Sequence, residues 1–198
     1  YVGSMCSILL LDESKKHLVL GSAPSLPDFY NNAVDGVAIG QGVGSCGTAA
    51  YTGKRVIVED ISTHPYWTPW SELTKKANLA ACWSEPIIGS EGKVLGSFAI
   101  YHNMPCVPKE SDFSQIEFVS KLAAVAIERS NSVEQIQLFS RVFSDTHEAI
   151  IITDPSGNII EVNPAFCIIT GYEREEVIGK NPNILSSGKH NQKFFREM

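Results

Sequence analysis

From residue 111 to about residue 146 the chain carries neither glycine nor proline, and its apolar residues return at helical spacing. Ile116, Val119, Ala123, Ala126 and Ile127 are followed by Val133, Ile136 and Val142, while Glu117, Lys121, Glu128, Arg129 and Glu134 fall on other faces. A helix of roughly 30 residues at 1.5 Å per residue runs about 50 Å. That is too long to lie on one small domain. The stretch therefore predicts a first domain over 1–129, a connector over 130–144 and a second unit over 145–198. Val133, Ile136, Val142 and Phe143 extend past what a sheet in the first domain can cover, and leaving such side chains in water forgoes roughly 1.5–3 kcal/mol each. A parallel homodimer through this helix is the expected partner arrangement.

Ahead of the helix, Met5 to Asp12 and Leu18 to Ser22 read as strands joined by a hairpin-length connection. Ser25 to Tyr30 reads as a short capped helix with proline in its first turn, and Val37 to Ile39 as a brief strand. A glycine-dense loop, residues 40–44, leads into a helix over Cys46 to Gly53 that glycine closes. Arg55 to Glu59 alternates like a strand, and a short helix is expected from Ser71 to Asn78. Cys82 to Ile88 and Val94 to Tyr101 flank Gly89-Ser-Glu-Gly-Lys93, a strong hairpin signal. The class is α+β, a mostly antiparallel sheet with flanking helices. After the long helix, Ala149 to Asp154 and Ile159 to Asn163 form a second hairpin, followed by a helix over Pro164 to Gly171 and helix-like residues at 192–197.

Net charge −6 argues against a nucleic-acid binder, which would present a basic face. No run approaches the roughly 18 apolar residues of a membrane span, so no direct membrane contact is expected. Five cysteines, Cys6, Cys46, Cys82, Cys106 and Cys167, form an odd set without a CxxC pair. In a chain without a secretory signal they read as reduced cytoplasmic thiols. His102 and Cys106 lack a second ligand pair, so no metal site is expected. Gly42-Val-Gly-Ser-Cys-Gly47 spells a dinucleotide fingerprint, but its helix is too short for a βαβ crossover, and a glycine-supported turn is the better reading.

Residues 1 to about 129 resemble a GAF domain, carried by Gly42-Val-Gly-Ser-Cys-Gly-Thr-Ala-Ala50, Val58-Glu-Asp-Ile61, Ser84-Glu-Pro-Ile87 and residues 92–101. Residues 145 to 198 resemble the start of a PAS domain, carried by Ile152-Thr-Asp154, residues 157–166, Thr170-Gly-Tyr172, residues 175–179 and Asn181-Pro-Asn-Ile-Leu185. The GAF resemblance starts at the first strand, without the helix that usually precedes it. The PAS resemblance stops before the last three strands of its usual sheet. The pairing is similar to the sensory front ends of cyclic-di-GMP synthases and phosphodiesterases and of some histidine kinases. It implies a non-enzymatic module that takes up a small ligand or senses redox state and relays it through the helix.

Cys46, Trp67, Trp70, Cys82, Trp83, Glu85 and Tyr101 are the candidate ligand-binding residues, with no catalytic residue among them. Aromatic walls suit a ligand cavity. Cys46 and Cys82 also match the places of two cysteines in GAF-type free methionine-(R)-sulfoxide reductases, which keeps that enzyme as the alternative. In the second unit, 181–187 with Phe194 and Phe195 resembles flavin-binding PAS sensors, and His190 lies near the haem-ligand place of others. No cofactor is expected in this chain, because the PAS half lacks the strands that would enclose one.

Overall fold

The computed structural model describes residues 3–186. The segment holding His190, Phe194, Phe195 and the helix-like residues 192–197 lies outside the described residues. Two compact units divide between Ser130 and Asn131.

The first unit is built on a six-stranded antiparallel sheet of order β3-β2-β1-β6-β5-β4. Its strands are β1 (Met5–Leu11), β2 (His17–Ser22), β3 (Val37–Ala38), β4 (Val56–Val58), β5 (Ala81–Ile88) and β6 (Val94–His102). Helices α1 (Asp28–Val34), α2 (Gly44–Thr52) and α3 (Ser71–Lys76), with a 3-10 turn over Pro65–Trp70, accompany it before α4 (Glu110–Asp145). The sheet is buried on both faces. Leu9, Cys46, Cys82, Ala99, Tyr101 and Trp67 share one core, while Trp83, Ile87, Phe98 and Ile116, Ala123 and Ala124 of α4 share another. Successive strand residues point to opposite faces, so neighbours along β5 and β6 belong to different cores.

Every strand pairing of this sheet is antiparallel, so the glycine string at 42–47 has no βαβ unit around it. Its glycines serve a turn. The Gly42 N–H donates to Thr48 Oγ1 at 3.0 Å, and the same hydroxyl donates to the Gly44 carbonyl at 2.7 Å. These bonds wind α2 from Gly44, two residues ahead of the expected start. Gly53 ends it in the left-handed conformation, φ 63°. At Gly96 a side chain has no room, since a Cβ there would stand 2.1 Å from the Leu9 carbonyl oxygen.

The helix expected over 25–30 begins later, at Asp28, with Pro27 as its N-cap. Ser25 does not cap it, because its hydroxyl accepts from the Cys6 N–H at 3.0 Å. Asn31 instead fixes the entering loop, donating to the carbonyls of Ala23 and Leu26.

The second unit contains a hairpin of β7 (Ile151–Thr153) and β8 (Ile159–Val162), then α5 (Pro164–Thr170), α6 (Arg174–Val177) and a 3-10 turn over Pro182–Leu185. Ile159, Val162, Phe166 and Val177 form its core. Asn163 organises it, accepting from the N–H groups of Ile150 and Phe166 and donating to the Glu148 carbonyl. Among the described residues no helix is long and apolar enough to cross a membrane.

Candidate functional site

A cavity opens between the first turn of α2 and the sheet, walled by Leu9, Tyr30, Cys46, Trp67, Trp70 and Tyr101. Its volume is about 30 Å³, room for one or two waters, whereas pockets for drug-sized ligands run roughly 300–1,000 Å³. No Asp, Glu, Lys, Arg or His lines it. Trp67 is fixed by donating from Nε1 to Ser45 Oγ at 3.0 Å. Tyr30 and Tyr101 meet edge to face with centroids 5.8 Å apart.

Behind Cys46 and Tyr101 of the cavity wall the surroundings are polar. Cys46 Sγ lies 3.4 Å from Ser84 Oγ and 3.5 Å from the Tyr101 hydroxyl. Cys82 Sγ lies 3.6 Å from the same Ser84 oxygen, and Ser7 Oγ stands 3.4 Å from the Tyr101 hydroxyl. The Cys82 thiol, followed by the Ser84, Tyr101 and Ser97 hydroxyls, holds the Cys46 thiol below the usual cysteine range against the opposing effect of burial. Burial, reinforced by Cys46, pushes the Cys82 thiol up. Both tyrosine hydroxyls are also pushed up, first by burial and then by the neighbouring thiols. Of the two thiols, Cys46 is the more acidic and Cys82 the less.

Of the sequence candidates, Cys46, Trp67, Trp70 and Tyr101 come together on the cavity wall, with Cys82 behind them. Trp83 and Glu85 do not join them. Both lie on the α4 face, since they alternate along β5 with Cys82 and Ser84. Trp83 packs in the core beneath α4 and donates from Nε1 to the Cys106 carbonyl at 3.3 Å. Glu85 binds Arg55, whose guanidinium also reaches Glu117 of α4 at 3.9 Å and lies 4.9 Å over the Phe113 ring. Tyr30 joins the wall from α1, a residue the sequence did not single out. His102, at the end of β6, is buried against Trp83 with ring centroids 4.3 Å apart. Burial holds its ring below the usual imidazole range.

The family model of the GAF domain matches residues 2–128, and that of the PAS fold matches residues 137–198. Over 181 residues, 89% of this chain and 18% of the other, the sequence is 35% identical to the methyl sulfide methyltransferase-associated sensor of Methanosarcina acetivorans. Over 61 residues, 31% of this chain and 12% of the other, it is 38% identical to a nitrogen fixation regulatory protein of Klebsiella oxytoca. The chain thus spans less than a fifth of either relative's length. A domain from a Sinorhizobium meliloti 1021 protein described as a two-component sensor histidine kinase superposes with TM-score 0.55 at 21% identity, covering 67% of this chain and 83% of that one. The GAF domain of an Acinetobacter phosphoenolpyruvate-protein phosphotransferase gives TM-score 0.51 at 20% identity, covering 66% and 74%. With the curled antiparallel sheet, the glycine-led α2 and the matched residues in agreement, the chain belongs to the GAF domain family, its GAF domain followed by a PAS fold.

Proposed function

We propose that this chain is a non-catalytic sensory module whose GAF cavity takes up a small uncharged molecule and passes the change to α4 through the shared sheet. The observation that carries this reading is the parity of β5. Ser84 touches Cys46 of the cavity wall from behind, with Cys82 beside it, while Trp83 and Glu85, one residue on, touch the α4 side. A shift of β5 at the cavity is therefore a shift under the helix.

The sulfoxide-reductase alternative is disfavoured by the site itself. A free amino acid brings an ammonium and a carboxylate, and the cavity lining holds no Asp or Glu for the one and no Lys or Arg for the other. We further place the output of the longer protein in the histidine-kinase or cyclic-di-GMP class. The kinase class is favoured by 31% identity over 93 residues, 46% of this chain, to a blue-light-activated histidine kinase of Erythrobacter litoralis.

A homodimer through α4 belongs to the same reading. Phe118, Leu122 and Val125 are exposed, as are Ile136 and Phe139; each group has the three-or-four spacing of a coiled-coil seam, and the two seam positions between the groups are Arg129 and Ser132. Such a seam is self-complementary, so a second copy fits it best.

The cavity reading is tested by fluorine NMR of protein carrying 5-fluorotryptophan at its three tryptophans. Titration with dimethyl sulfide, small and uncharged, is expected to move the Trp67 and Trp70 resonances at the lowest concentrations, before Trp83. Equal movement of all three, or of Trp83 first, contradicts it.

A further inference from the structure

The Cys46 thiol of the cavity wall and the Cys82 thiol behind it are poorly explained as ordinary core packing. Buried cysteines commonly sit among apolar neighbours, but these lie among Ser7, Ser84, Ser97 and Tyr101, each buried. Burying hydroxyls is unfavourable unless they are satisfied, and here Ser84 and Tyr101 are satisfied partly by sulfur. The sulfurs come from different elements, α2 and β5, and meet on one serine oxygen. Access to them is unequal. Cys46 lines the cavity and keeps 7% of its surface, whereas Cys82 keeps none. An incoming molecule meets Cys46 first, and a cavity for one or two waters selects for size.

We infer that Cys46 is a hydroperoxide-reactive thiol and that Cys82 resolves it, closing a reversible disulfide beneath the cavity. The inference rests on the cavity reading above and names the class of molecule that reaches Cys46 on its wall, hydrogen peroxide or a small alkyl hydroperoxide. The Cys46 thiolate attacks the outer peroxide oxygen; an S–O bond forms and the O–O bond breaks. Cys46 is oxidised by two electrons to a sulfenic acid, and the peroxide is reduced to water or an alcohol, its leaving oxygen taking a proton. The Cys82 sulfur then attacks the Cys46 sulfur, the S–S bond forms, and the departing hydroxide takes the Cys82 proton and leaves as water. Tyr101 and Ser84, both within hydrogen-bond reach of Cys46, are placed to donate during the first step. Disulfide formation pulls α2 and β5 together at the point where β5 also carries Trp83.

The test treats the unsubstituted chain, and one with Cys6, Cys106 and Cys167 replaced by serine, with hydrogen peroxide. Intact mass and peptide mapping are the readouts. The expected product is lighter by two hydrogens, joins the Cys46 and Cys82 peptides, and returns to thiols with dithiothreitol. In the serine-substituted chain, Cys82→Ala should stop one oxygen heavier at Cys46 and become labelled by dimedone, and Cys46→Ser should leave Cys82 a thiol. Mapping the unsubstituted chain needs no change at a buried position, so the test survives if a variant does not fold. Cys46 and Cys82 remaining thiols while exposed Cys6 is oxidised overturns the inference, as does oxidation of Cys82 at an undiminished rate in Cys46→Ser. With the tryptophan response intact, that failure removes the thiol chemistry alone. A disulfide formed without any tryptophan response upholds the thiol chemistry and overturns the small-molecule reading of the cavity.

Discussion

Trp83→Ala is expected to destabilise the GAF unit by about 3–5 kcal/mol, the range for deleting a large aromatic side chain from a core. The indole is almost fully covered, with Ile116, Ala123 and Ala124 of α4 in the same core. Its removal leaves a void between sheet and helix and strands the Cys106 carbonyl that its N–H satisfies. Against a domain stability of about 5–15 kcal/mol, that is a large share. In urea, where small proteins lose roughly 1–3 kcal/mol per molar, the unfolding midpoint should fall by about 2 M. Ser130→Ala, exposed on the same helix and outside the proposed seam, should change stability by no more than about 0.5 kcal/mol. A Trp83→Ala midpoint within about 0.5 M of the parent would mean that α4 is not clamped by this residue.

The second large effect concerns association. Ile136→Glu with Phe139→Glu puts charge at two exposed positions of the proposed seam, 67% and 62% accessible in the single chain. Each lost burial is worth roughly 1.5–3 kcal/mol, so the pair together should weaken a dimer by at least about a hundredfold. Because both side chains are exposed, the fold of each unit should be unaffected, and circular dichroism checks that. Sedimentation equilibrium should show the parent chain dimeric and the double variant monomeric at the same concentration. A parent that stays monomeric at high micromolar concentration, or a variant that dimerises equally, removes the seam.

The architecture was readable from sequence wherever local rules act alone. The hairpin at 89–93, the glycine after α2 and the unbroken helix each carry their own signal, and the observed elements follow them closely. Facing was not readable, and β5 shows why. Cys82, Trp83 and Ser84 are all buried because α2 covers one face of the sheet and α4 the other. A sheet covered on both faces loses the alternation of polar and apolar residues that tells inside from outside. Parity along the strand is certain, but which parity faces the cavity is a tertiary fact. Trp83 and Glu85 were grouped with the ligand residues for that reason. Tyr30 was missed because α1 reaches the cavity only through its loop, held by Asn31, and no local pattern encodes that approach. The exposed residues Phe118, Leu122 and Val125 were likewise missed. The apolar spacing of α4 supports two stripes, and only the packed sheet shows that Ile116, Ala123 and Ala124 form the inward one.

In the proposed function the cavity and α4 are coupled through β5. Hydrogen–deuterium exchange with a carbamidomethyl group placed on Cys46 by iodoacetamide tests it most directly. The chain with Cys6, Cys106 and Cys167 replaced by serine confines the reaction to the cavity wall, and the thioether formed cannot be displaced by Cys82. The group overfills a cavity that holds one or two waters, so the walls must move. Amide exchange across residues 113–127 of α4 is expected to rise several-fold, while β7 and β8 of the second unit keep their protection. Complete modification of Cys46 with unchanged exchange in that part of α4 would contradict the account.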